Sequence, residues 1–92
     1  MHRISPRPWI NGQSAQRYVD QMMRVHAILA DAAGMMREYQ PHGRDYQIGP
    51  DREEAYQADR KEFLRRLRIV EELAAQYESE AYSIHRLEAA NA

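Results

Sequence analysis

Two stretches of this chain carry apolar residues at steps that alternate three and four without a break. The first reads Ala15, Tyr18, Met22, Val25, Leu29, Ala32, Met36, Tyr39; the second reads Phe63, Leu67, Val70, Ala74, Tyr77, Ala81, Ile84. A helix turns once in 3.6 residues, so this spacing draws one apolar line down one side of a helix, the seam along which two helices lie together. Val19, Ile28, Ala33 and Met35 widen the first line, and Leu64, Leu73 and Leu87 add a row beside the second. A stripe that wide needs more than one partner helix. The expected fold is all-α: an antiparallel two-long-helix hairpin with an irregular N-terminal arm, packed into a helical homo-oligomer.

Local signals set the expected boundaries within one domain, residues 1–92. Pro6 and Pro8 hold their predecessors extended, and Asn11-Gly12 is a turn signal, so 1–13 reads as an arm, with Trp9 an apolar anchor over a helix face. Helix 1 is expected over 14–40, with Ser14 or Asn11 as N-cap and Pro41 as its stop. Gly34 is a weak point inside it, read as a site of close helix approach. A loop follows over 41–50. Helix 2 is expected over 51–89, opened by Asp51 with Glu54 three residues on, an aspartate form of the capping box. At 1.5 Å per residue the helices measure about 40 Å and about 56 Å, so the second overhangs. Tyr77, Ala81, Tyr82, Ile84 and Leu87 are expected at the overhang, beneath the arm or a second subunit.

Composition narrows the partners. Thirteen basic and fourteen acidic residues leave a formal net charge of −1, against the large basic excess of a general DNA- or membrane-binding protein. No apolar run approaches a membrane span, and the N-terminus lacks the apolar core of a secretory signal. A cytoplasmic protein is the expectation. With 92 residues and no cysteine, neither disulfides nor thiolate metal sites can reinforce a small core, which leaves self-association as the source of extra buried area.

The connection Gln40-Pro41-His42-Gly43-Arg44-Asp45-Tyr46-Gln47-Ile48-Gly49-Pro50 is richer than a turn requires. Gly43 permits a positive φ and close approach of a ligand to the backbone. Arg44 offers a planar fork that fits phosphate. Tyr46, with Tyr39, offers a ring face for a base. His42 supplies a hydrogen bond or a positive charge, and Asp45 reads ring nitrogens or orients Arg44. The expected ligand-binding set is therefore His42, Gly43, Arg44, Asp45, Tyr46 and Tyr39. The competing reading is structural: Arg44 and Asp45 pair on the surface, Tyr46 packs on the end of the hairpin, and Gly43 is turn chemistry.

Other clusters point to less. Lys61, Arg65 and Arg68 share a helix face with Arg60 and Arg66 nearby, but Glu62 lies four before Arg66 and Glu72 four after Arg68, the spacing of a solvated, ion-paired face. His2, His26, His42 and His85 form no pair at metal-binding helical spacing. No nucleophile, glycine-rich phosphate loop or catalytic set is evident. Ser79 and Ser83 read as ordinary helix residues. The expectation is a protein that is not an enzyme and needs no cofactor or metal.

The loop from Gln40 to Tyr46, followed by Ile48-Gly49-Pro50 and a charged helix, resembles a group of small tailed-phage proteins with an Arg-Asp-Tyr-Tyr type connection; here Gln47 stands where a second aromatic residue is expected. The resemblance covers residues 18 to 80 in pattern and is specific in the loop. It implies a phage accessory protein acting in the infected bacterial cell. A looser analogy of size and architecture links the chain to the phage sponges that sequester cyclic nucleotides made by CBASS or Thoeris defence. Two functions follow as expectations. One is a homo-oligomeric anti-defence protein that sequesters an anionic nucleotide-like ligand in the loop. The other is a helical protein–protein interaction module that blocks a host or phage complex, supported by the apolar surplus at Met23, Met35, Tyr82 and Leu87.

Overall fold

A computed structural model describes the backbone of residues 2–4 and 12–91 and the side chains of 2–4 and 15–87. The positions expected for Trp9, Ile10 and an Asn11 cap lie outside these residues. Helix α1 spans Gly12–Glu38, a short 3-10 turn η1 spans Gly43–Asp45, and α2 spans Arg52–Asn91. The two long helices run antiparallel as a hairpin measuring 65 × 21 × 14 Å. α1 starts and stops two residues before the expected 14 and 40, and Ser14 falls inside its first turn. Its final turn is closed by Tyr39 N–H donating to the Met36 carbonyl at 3.1 Å, because the residue before Pro41 is driven out of helical geometry. Asp51 precedes α2, and its carbonyl accepts the Ala55 N–H at 2.9 Å.

α2 packs along the expected line: Leu67, Ala74, Ala81 and Ile84 are buried, with Phe63, Val70 and Tyr77 half-buried. α1 does not. Its buried line reads Ala15, Val19, Met22, His26, Leu29, Ala33, Met36, again in steps of four and three, with Ala15, Met22 and Ala33 fully buried. Four members of the expected line, Tyr18, Val25, Ala32 and Tyr39, stand exposed. The physical reason is twofold. Ala15 and Ala33 set small side chains against a partner helix that offers Ala74 and Ala81, allowing close approach. The same rotation brings His26 inward, where Nδ1 lies 2.7 Å from the Ala74 carbonyl oxygen and Nε2 lies 3.2 Å from Glu78 Oε2. Both ring nitrogens face acceptors. Arg37 and Glu71 form an ion pair between the helices.

These contacts fix the stagger. Ala15 and Met22 cluster with Ala81 and Ile84, with Val19, Met23 and Tyr77 packed against them. The end of α2 therefore lies level with the start of α1, and the overhang is at the other end, over the first turns of α2. This reverses the expectation that Tyr77 to Leu87 would project. It also explains the length of the loop, which runs back along α2 where α1 has already stopped.

The arm meets the far end. Arg3 Nη2 donates to Ser83 Oγ at 2.8 Å and to Ser79 Oγ at 3.2 Å, so these two serines hold the arm. Ile4 N–H donates to Glu80 Oε1 at 2.9 Å, and Gln76 Nε2 donates to the same oxygen at 2.9 Å. Glu80 is 2 % exposed, a depth at which a carboxylate must be hydrogen-bonded. Gly34 is not a point of close approach: a Cβ placed there meets nothing within 4 Å.

Candidate functional site

The loop is ordered by its own polar groups. His42 is extended (φ −116°, ψ 146°) and begins η1. Asp45 N–H donates to the His42 carbonyl at 2.9 Å, Tyr46 N–H to the Gly43 carbonyl at 3.1 Å, and His42 N–H to Asp45 Oδ2 at 3.2 Å. The Asp45 carboxylate thus closes the mini-helix onto its first residue, as an acid does at the third position of a capping box. Gly43 has no positive φ. Gly49 does, at +102°, where it turns the chain toward Pro50 and α2.

Tyr46 joins this unit to α2. Its hydroxyl donates to Asp59 Oδ2 at 2.6 Å, and its ring tilts onto Tyr56 with centroids 5.5 Å apart at 52°, the geometry aromatic pairs prefer. The hydrogen bond to Asp59 holds the phenol proton, and the negative charges of Asp59 and Asp45 add to it, pushing the Tyr46 pKa up to about 12.

A cleft of about 240 Å³ opens beside this pair, lined by Gly43, Tyr46, Gln47, Arg52, Glu53 and Tyr56. It falls below the roughly 300–1,000 Å³ of pockets that bury small ligands. Two of the expected site residues, Gly43 and Tyr46, line it. Arg44, His42, Asp45 and Tyr39 do not, and Tyr39 is 80 % exposed. The arginine that lines the cleft with the two tyrosines is Arg52. Arg52, Tyr56 and Asp59 stand at steps of four and three on the opening turns of α2. That spacing is visible in the sequence and marks one face turned toward the loop.

On the basic stretch, Glu62 holds Arg65 at 2.8 Å and faces Arg66 at 3.8 Å. The Arg65 hydrogen bond, above all, pulls the Glu62 carboxyl below the usual range. No Arg68–Glu72 pair is found among the described residues. Nor do three His, Asp or Glu side chains there converge as metal ligands, and no helix among them is long and apolar enough to cross a membrane.

A second surface is more extended. The exposed residues of α1 include Tyr18, Val25, Ile28, Ala32 and Met35, with Tyr39 just past its last turn; Ile28 and Met35 are each 65 % exposed. With Gln21 they complete an unbroken row, 18, 21, 25, 28, 32, 35, 39, in steps of three and four. This is the spacing of a helix seam, and it lies beside the seam already occupied by α2. Comparison with family models, with curated proteins and with solved structures returns no match.

Proposed function

We propose that this chain is a helical protein–protein interaction module, not an enzyme, and that the row from Tyr18 to Tyr39 is its working face. The observation that carries the reading is that α1 has two seams and α2 occupies one. Exposed apolar residues scattered singly are ordinary, but a contiguous, heptad-spaced row is what association surfaces are made of. The loop then serves as a brace for the overhanging end of α2. The resemblance of His42–Tyr46 and Gly49–Pro50 to phage proteins is in keeping with an accessory role of this kind.

The test is site-specific photocrosslinking in cells, with a photoreactive amino acid at position 28 or 35 and, as control, at position 65 on the ion-paired face. The reading expects polypeptide adducts from 28 and 35 in excess of those from 65. Equal or absent adducts at the two row positions would remove it.

A second reading rests on the cleft, where Tyr46, Tyr56 and Arg52 lie together. It is the ligand-sequestering function with Arg52 in the phosphate-clamping role. Calorimetry with a panel of linear and cyclic nucleotides, wild type against Arg52→Ala, decides it: heat lost in the variant supports it, and no heat in either protein dismisses it.

A further inference from the structure

We infer that the occupant of the α1 row is a second copy of this chain, bound antiparallel about a two-fold axis near residue 27; this rests on the interaction reading above and names its partner. The argument is electrostatic. Arg17, Arg24, Asp31 and Glu38 each immediately precede a row residue or its neighbour in the heptad, so they line one flank of the row at seven-residue intervals. All four are exposed, and none has an ion-pair partner among the described residues. The flank is basic in its first half and acidic in its second. A parallel second helix would lay this flank against the other edge of the row, where Met22, Leu29 and Met36 are already turned to α2 and offer no charge. An antiparallel one lays the flank against itself in reverse: Arg17 meets Glu38 of the second copy, and Arg24 meets its Asp31, twice over by symmetry.

The same axis aligns the apolar row. Tyr18 falls opposite Met35 of the second copy, Gln21 opposite Ala32, and Val25 opposite Ile28, six layers in all once the symmetry is applied. Large residues meet middle-sized ones at the ends, and branched residues fill the centre. Gln21, the polar member, faces a small side chain, and a polar residue in a seam is a device that fixes register. The charge pattern and the apolar pattern call for the same axis, although they involve different residues. The product is a four-helix bundle with α1 from each copy at its centre, an architecture in which a two-fold interface uses one patch on both subunits.

The test is sedimentation equilibrium of the full chain, from low micromolar to submillimolar concentration, with circular dichroism on the same samples. Wild type is expected as a dimer. Ile28→Glu puts a carboxylate opposite Val25 of the second copy in both central layers, so it should raise the dimer dissociation constant by more than ~10-fold with helicity retained. Arg24→Glu places two acids together and should weaken the dimer. Arg24→Glu with Asp31→Arg restores opposite charges and should recover it, and these surface changes keep the orientation falsifiable even if Ile28→Glu fails to fold. A wild-type monomer over the whole range, a trimer or larger ring, or a double charge swap that fails to recover the dimer would overturn the inference. A monomer that still crosslinks from position 28 to a polypeptide of different mass would overturn only the self-pairing and leave the interaction reading in place.

Discussion

The Tyr46 hydroxyl and the Asp59 carboxylate, thirteen residues apart, meet at 2.6 Å and tie the inter-helix loop to α2. The consequence is a pH dependence at the alkaline end. The phenol's folded pKa is raised to about 12 from the ordinary tyrosine value of 10.0, so the folded state keeps a proton that the unfolded chain gives up first. The stabilisation is complete below pH 10 and is lost as pH climbs toward 12. Ultraviolet titration of the tyrosinates should show one late-titrating tyrosine in wild type. It should vanish in Tyr46→Phe and titrate earlier in Asp59→Asn.

Two glycines should respond oppositely to alanine. Gly34 is inside α1 with open space where a Cβ would go, so Gly34→Ala should stabilise by about 0.5–1 kcal/mol. Gly49 holds φ at +102°, and its Cβ would sit 3.2 Å from Asp51 Oδ1. Gly49→Ala should cost about 1–3 kcal/mol. Thermal melts of the two variants beside wild type check both signs.

Glu80 links the arm to the hairpin. Removing its carboxylate leaves the Ile4 N–H and the Gln76 amide without the acceptor they share. Glu80→Ala should lower stability by about 1–3 kcal/mol and quicken tryptic cleavage after Arg3. Glu80→Gln keeps one acceptor oxygen and should fall between. Equal cleavage rates in all three proteins would show that the arm is held by something else.

His26 should matter through its two acceptors rather than its size. His26→Phe keeps a ring in the seam but leaves Glu78 and the Ala74 carbonyl without the imidazole. A loss of about 1 kcal/mol is expected, and denaturant unfolding with an unchanged m-value would assign it to the folded state.

The sequence made α2 legible because its apolar line, Phe63 to Ile84, has no competitor on the same helix. α1 was less so. It carries apolar residues over more than half a turn, and periodicity alone cannot say which of two adjacent lines faces the partner within the chain. The choice is made by Ala15 and Ala33, which are small, and by His26, whose polarity made it look like surface. The loop was legible as ordered but not in its connections. Arg44 and Tyr46 are near in sequence, yet η1 sends Tyr46 to α2, while Arg52, Tyr56 and Asp59 are brought to it only by the stagger of the hairpin. Glu80 gave no signal, since its burial depends on an arm that returns from 76 residues away.

The stagger also grades the rod from end to end. The buried apolar cluster of Ala15, Met22, Ala81 and Ile84 sits at the open end, while the first turns of α2 have a braced loop beside them instead of a helix. Amide hydrogens over 52–63 should therefore exchange sooner than those over 67–84. The covalently closed end of the described hairpin is then its soft end, and opening of α2 is expected beside the connection before it reaches the 67–84 segment.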